Sequence, residues 1–316
     1  MQGMSFSTRR LVADLFNEWN AFRHLNNQKS APTIFPMPIF ADIARSSSVQ
    51  FIWKALVFVA IAYLGICLLL YFAQRKLIYL PSRTNGILPV GFEPWFGTNT
   101  SGEQEFRGFK RVSSPLSTNC LFFFHGNGGN ASGWSHAVED FPGDIFVLEY
   151  PGYGERPGSP SEGSIKSAAL RAFEDEISNR HHAYSQVVLC GQSLGTGVTE
   201  AIFTKHPARL HALVLITPFL SLAEVASTHY SWIPTRLLVR DRLQLYEAFI
   251  KFPGKSLVVT ASDDEVIPRS HSLRYHAATN ENRAILEFPA SHNTISLDRS
   301  FWEQVLSGKA WHAGGM

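Results

Sequence analysis

The sequence predicts an α/β fold: a mostly parallel sheet with helices on both faces, preceded by one apolar helix. Three observations predict it. From residue 104 onward, short β-branched and aromatic runs alternate with segments of helical periodicity. Within that alternation, Cys190-Gly191-Gln192-Ser193-Leu194-Gly195-Thr196-Gly197 sets a G-x-S-x-G pattern between an apolar run at 186–189 and a segment compatible with a helix at 198–206. The other chemistry-bearing clusters each follow a strand, so they gather on the carboxyl edge of the sheet, where ligands of such folds bind.

The totals narrow the class. A chain of 316 residues with 45% hydrophobic and 17% charged residues suits one sizeable domain with an appendage and excludes a wholly disordered chain. A net charge of +2 gives no support for a nucleic-acid partner. Cys67, Cys120 and Cys190 lack C-x-x-C spacing, and no H-E-x-x-H is present. The expectation is buried cysteines, no metal and no cofactor.

Taken in order, residues 1–50 read as a tail. Leu11, Leu15, Trp19 and Phe22 are spaced for a helix over 9–25, but Pro32, Pro36 and Pro38 break any regular element after it. The stretch 55–73 carries no charge and is long enough for a hydrocarbon core of about 30 Å. With Lys54 before it and Arg75-Lys76 after it, residues 51–74 are expected to form a single-pass membrane anchor with the bilayer as partner. The flanking charges are too evenly split to set an orientation. Residues 75–112 would hold a juxtamembrane segment and the first strands, including one at 104–112. The core would span 113–308, with strands at 119–124, 144–149, 186–189, 210–216, 255–260 and 283–288. Helices are expected at 161–179, 268–278 and 299–307, a cap insertion at about 218–252, and a tail at 309–316.

The serine pattern has a physical reading. A serine on a sharp strand-to-helix turn has strained dihedrals, and its neighbours Gly191 and Gly195 must be small; Gln192 completes the elbow. The helix N-terminus beside it favours developing negative charge. Acyl transfer needs two N–H donors for the oxyanion, one from the residue after the nucleophile, Leu194. The second candidate is the backbone N–H of Asn127 in His125-Gly126-Asn127-Gly128-Gly129-Asn130, where Gly126 and Gly128 permit close approach. His125 reads as a ring that holds the loop. A competing reading of Gly126-x-Gly128-x-x-Ala131 is a loosened dinucleotide fingerprint with Glu149 as its acid. A serine also needs a base and an orienting acid, in the chain order Ser, Asp or Glu, His. The acid lies among Asp263, Asp264 and Glu265, with Asp264 preferred to Asp263. His292 is the base, ahead of His271, His276 and His312. Tyr150-Pro151-Gly152-Tyr153-Gly154 reads as a structural loop beside the pocket.

With these motifs assembled, the chain resembles the α/β-hydrolase superfamily, in particular its membrane-anchored α/β-hydrolase-domain branch, which is similar to the S33-type serine peptidase group. The resemblance covers about residues 71–308. It rests on Gln74-Arg75-Lys76-Leu77-Ile78-Tyr79-Leu80-Pro81-Ser82, H-G-N-G-G-N, Y-P-G-Y-G, G-Q-S-L-G-T-G, Asp264-Glu265-Val266-Ile267-Pro268 and Ser291-His292-Asn293. It implies Asp264 as the acid. Ala261 and Ser291 stand where the family usually has glycine. It also implies that residues 218–252 cap the pocket. The expected activity is a membrane-anchored serine hydrolase acting on acyl esters or thioesters. A peptidase or acyltransferase with the same triad is the alternative, and a non-catalytic scaffold the alternative of another class.

Overall fold

The computed structural model describes residues 47–83, 88–99, 101–179 and 184–311. The helix expected over 9–25 and His312 lie outside them. The chain divides into two units, one ending at Tyr63 and one running from Leu64. The first described element, α1 (Ser47–Ile78), continues from one into the other. Its apolar surface is not a core surface: Phe51, Phe58 and Phe72 stay 72–73% exposed. By length and composition it is a candidate membrane-spanning helix.

In the second unit the elements follow in order: β1 (Leu80–Pro81), β2 (Glu93–Thr98), β3 (Gln104–Arg111), β4 (Asn119–Phe124), β5 (Gly128–Gly129), α2 (Ala131–Trp134) and β6 (Asp144–Leu148). Next come α3 (Glu162–Asn179), β7 (Gln186–Gln192), α4 (Leu194–Phe203) and β8 (Ala212–Ile216). The insertion after β8 folds as three short helices, α5 (Leu222–His229), α6 (Thr235–Leu238) and α7 (Tyr246–Phe249). The described chain continues with β9 (Ser256–Asp263), α8 (Arg269–His276), β10 (Arg283–Ser291) and α9 (Arg299–Ser307), followed by a short 3-10 turn (Lys309–Trp311).

Eight strands form one sheet in the order β10-β9-β8-β7-β4-β6-β3-β2. The pairs from β10 to β6 are parallel, and β3 joins β6 and β2 antiparallel. Strand side chains alternate between faces, so β4 feeds two cores. Phe122 and Phe124 pack with Phe173 of α3 and Val198 and Ile202 of α4. Leu121 and Phe123 pack on the opposite side with Phe301, Trp302 and Val305 of α9. Each such side chain contributes roughly 1.5–3 kcal/mol by leaving water. Because β4, β7, β8, β9 and β10 run parallel, their carboxyl ends lie on one edge, and the loops there converge.

Candidate active site

Ser193 follows the last residue of β7 and is the N-cap of α4. Its φ of 48° and ψ of −115° are strained for a residue with a side chain. The strain is held by neighbours that cannot grow. A Cβ on Gly191 would lie 2.5 Å from the Gly195 carbonyl oxygen, and one on Gly195 would overlap the Phe124 carbonyl. The Ser193 N–H is anchored at 2.9 Å to the carbonyl of Ile216, the last residue of β8.

His292 stands just past β10, 3% exposed, with Nε2 2.9 Å from Ser193 Oγ. Its Nδ1 lies 2.9 Å from both carboxylate oxygens of Asp264. A carboxylate there fixes the tautomer with the proton on Nδ1, so Nε2 accepts from the serine hydroxyl. Burial opposes the charge on Asp264. Hydrogen bonds from His292 and from the N–H groups of Ile267 and Val266 outweigh it and hold the carboxyl below its usual range. Of the three acids in this cluster, Asp264 is the one facing the imidazole ring. Asp263 is exposed and accepts from Ser262, while Glu265 accepts from the His292 N–H at 3.2 Å.

The glycine-rich loop meets this group from the side of β4. A Cβ on Gly126 would sit 3.8 Å from Ser193 Cβ. Leu194 opens α4, and such first-turn N–H groups have no intrahelical acceptor. The Asn127 side chain is fully engaged in holding the loop. Its Oδ1 accepts from the Leu80 N–H at 3.1 Å and the Tyr153 hydroxyl at 2.9 Å, and its Nδ2 donates to the Ile78 carbonyl. A parallel two-residue ladder pairs β1 with β5 alongside it.

Residues 121–309 match the profile of the Alpha/beta hydrolase family. The chain belongs to that family. An uncharacterized protein of Mycobacterium tuberculosis is 30% identical over 261 residues, covering 76% of this chain and 87% of its own. An uncharacterized membrane protein of Saccharomyces cerevisiae is 25% identical over 203 residues, covering 61% and 72%. Among solved structures, an esterase of Pyrococcus furiosus superposes with a TM-score of 0.53 at 12% identity, covering 74% of this chain and 94% of that one, a likeness of fold.

The support of this alpha/beta hydrolase site extends beyond the residues named from sequence. His125 is fully buried, its Nδ1 2.7 Å from the Gly126 carbonyl and its Nε2 3.4 Å from Glu149 Oε1. Glu149, the acid a dinucleotide would need, is itself fully buried and accepts from the Ala131 N–H at 3.1 Å. It is closed off from any ribose. Tyr150, buried against the His125 ring, donates to the His125 carbonyl at 2.7 Å. Both tyrosines of Y-P-G-Y-G therefore brace the loop opposite the serine, a role that the motif's position after a strand on the same edge signals only loosely. Ile78 and Leu80 fall within the 74–82 run that carries part of the resemblance, but nothing in that run signals that their backbone groups hold the Asn127 side chain.

Proposed function

We propose that this protein is a membrane-anchored serine hydrolase that cleaves acyl esters or thioesters. One observation carries the reading: the continuous hydrogen-bonded chain from Ser193 Oγ through His292 to Asp264, each link 2.9 Å. In the mechanism, Ser193 Oγ attacks the acyl carbonyl as His292 Nε2 takes its proton. Asp264 orients Nδ1–H and stabilises the imidazolium. The N–H groups of Leu194 and Asn127 stabilise the oxyanion. His292 then protonates the departing alcohol or thiol, and a water molecule, deprotonated by His292, releases the acid and restores Ser193. Anchoring through residues 51–74 is supported by the exposed apolar surface of α1 and by the yeast relative's description as a membrane protein.

The test is fluorophosphonate labelling of the detergent-solubilised full chain, with the modified residue mapped by mass spectrometry. Labelling on Ser193 that is lost in His292→Ala is the expected result. Ser193→Ala should lower turnover about 10⁶-fold. Absence of labelling in folded protein, or near wild-type turnover by Ser193→Ala, overturns the reading in favour of a scaffold. A panel of esters, thioesters and aminoacyl amides then fixes the bond cleaved, and amide preference would make the protein a peptidase.

A further inference from the structure

Between the C-terminal part of α1 and the insertion that follows β8 lies a cavity of about 420 Å³, within the range of small-molecule sites. Ile66, Leu70 and Leu77 wall one side, and Ala226, Ile233 and Val239 the other. We propose that it holds one hydrocarbon chain of a membrane-resident lipid, the acyl part of the substrate. The substrate role rests on the hydrolase function proposed above; chain binding does not.

The polar groups in the walls point to a hydrocarbon. Gln74 is buried, its Nε2 donating to the Tyr71 carbonyl at 2.7 Å and the Leu238 carbonyl at 3.1 Å, and its Oε1 accepting the Arg240 N–H at 2.7 Å. Thr235 Oγ1 donates to the Ala223 carbonyl at 3.4 Å. The carbonyls of Ala226, Tyr230, Ile233 and Thr235 accept from backbone N–H groups. A polar ligand would shed its water and find these partners already taken, whereas an alkyl chain loses nothing. The entrance chemistry agrees. Leu77, Tyr230 and Trp232 are 60%, 55% and 58% exposed beside it, and such aromatic residues favour the bilayer interface. Ile66 and Leu70 belong to the apolar run of α1, so the cavity is continuous with the surface proposed to meet lipid. One wall residue is also tied to the loop beside the serine: the Ile78 carbonyl accepts a hydrogen bond from the Asn127 side chain.

Two measurements test this. First, full-chain Ser193→Ala in detergent is irradiated with a diazirine-bearing palmitic acid and the adducts are mapped. Adducts within 226–239 that are competed by palmitic acid, and reduced at least fivefold in Ala226→Trp and in the milder Ile233→Asn, are expected. Labelling of 226–239 that neither palmitic acid nor these variants reduce overturns the proposal. Second, with Ser193 intact, kcat/KM for p-nitrophenyl esters should rise up to about fourfold per methylene group. Ala226→Trp or Ile233→Asn should cut the ratio of twelve-carbon to two-carbon activity at least tenfold; an unchanged ratio in folded variants overturns the substrate role. Adducts without Ser193-dependent hydrolysis of any ester or thioester would leave the cavity standing and remove the proposed esterase or thioesterase function instead.

Discussion

The turn that carries Ser193 and the loop that carries Asn127 face each other across the site, yet they are held by opposite means. The turn is held by exclusion: backbone fills the space where side chains on Gly191 and Gly195 would go, and the strained serine conformation is what remains. The loop is held by attachment. Asn127 is tied to Ile78, Leu80 and Tyr153, and His125 to Tyr150, partners drawn from well-separated stretches of chain. Exclusion is all-or-none and local. Attachment is graded and distributed.

That contrast predicts a ranking. Gly195→Ala should be the most damaging of these changes, because its methyl group overlaps the Phe124 carbonyl and backbone cannot step aside; a loss of about 3 kcal/mol or more in denaturant unfolding, or failure to fold, is expected. A stable, active Gly195→Ala would break the comparison. Asn127→Ala removes three side-chain hydrogen bonds but keeps the backbone N–H, so stability should fall by about 2–3 kcal/mol. Its kcat should drop roughly 10–100-fold, short of the 10²–10³ typical of deleting an oxyanion donor outright. A pH scan isolates the packing around the site. Burial pulls His271 down to about 4, and its Nδ1 accepts the Leu220 N–H at 3.0 Å. The unfolded chain gains this proton near pH 6.5 and the folded protein only near 4, so stability should decline as pH falls through that window. Thermal melts of wild type and His271→Asn check this: the variant should show a shallower decline. Tyr153→Phe should be mildest, costing about 1 kcal/mol with turnover reduced only a few-fold, because two of the three Asn127 attachments remain.

The same contrast explains what the sequence reveals. The serine turn is legible because its determinants lie within a few residues, and sterics there permit few alternatives. The parallel strands are legible as apolar runs, and their parallel order puts the segments bearing Ser193, Asp264 and His292 on one edge. Elements whose local chemistry argues against them are not. Pro94 and Gly97 conceal β2, which forms through antiparallel pairing with β3. β10 runs past the expected residue 288 to Ser291 through Pro289, as an edge strand with a register irregularity can. Gly195 and Gly197 mask the true start of α4 at Leu194, earlier than the expected 198, since glycine is a poor helix former that tertiary packing overrides. Glu149 reads as the end of a strand; only the fold turns it inward against His125.

A single residue, Tyr79, separates the end of α1 from β1, and it is no hinge. It is 2% exposed, its hydroxyl bonded to Asp241, which also pairs with Arg75 at 2.9 Å. The last turn of α1, β1 and the chain around Asp241 are therefore fastened to one another, so a disturbance of that turn would be passed to Leu80 and, through its N–H, to the Asn127 side chain that holds the glycine-rich loop.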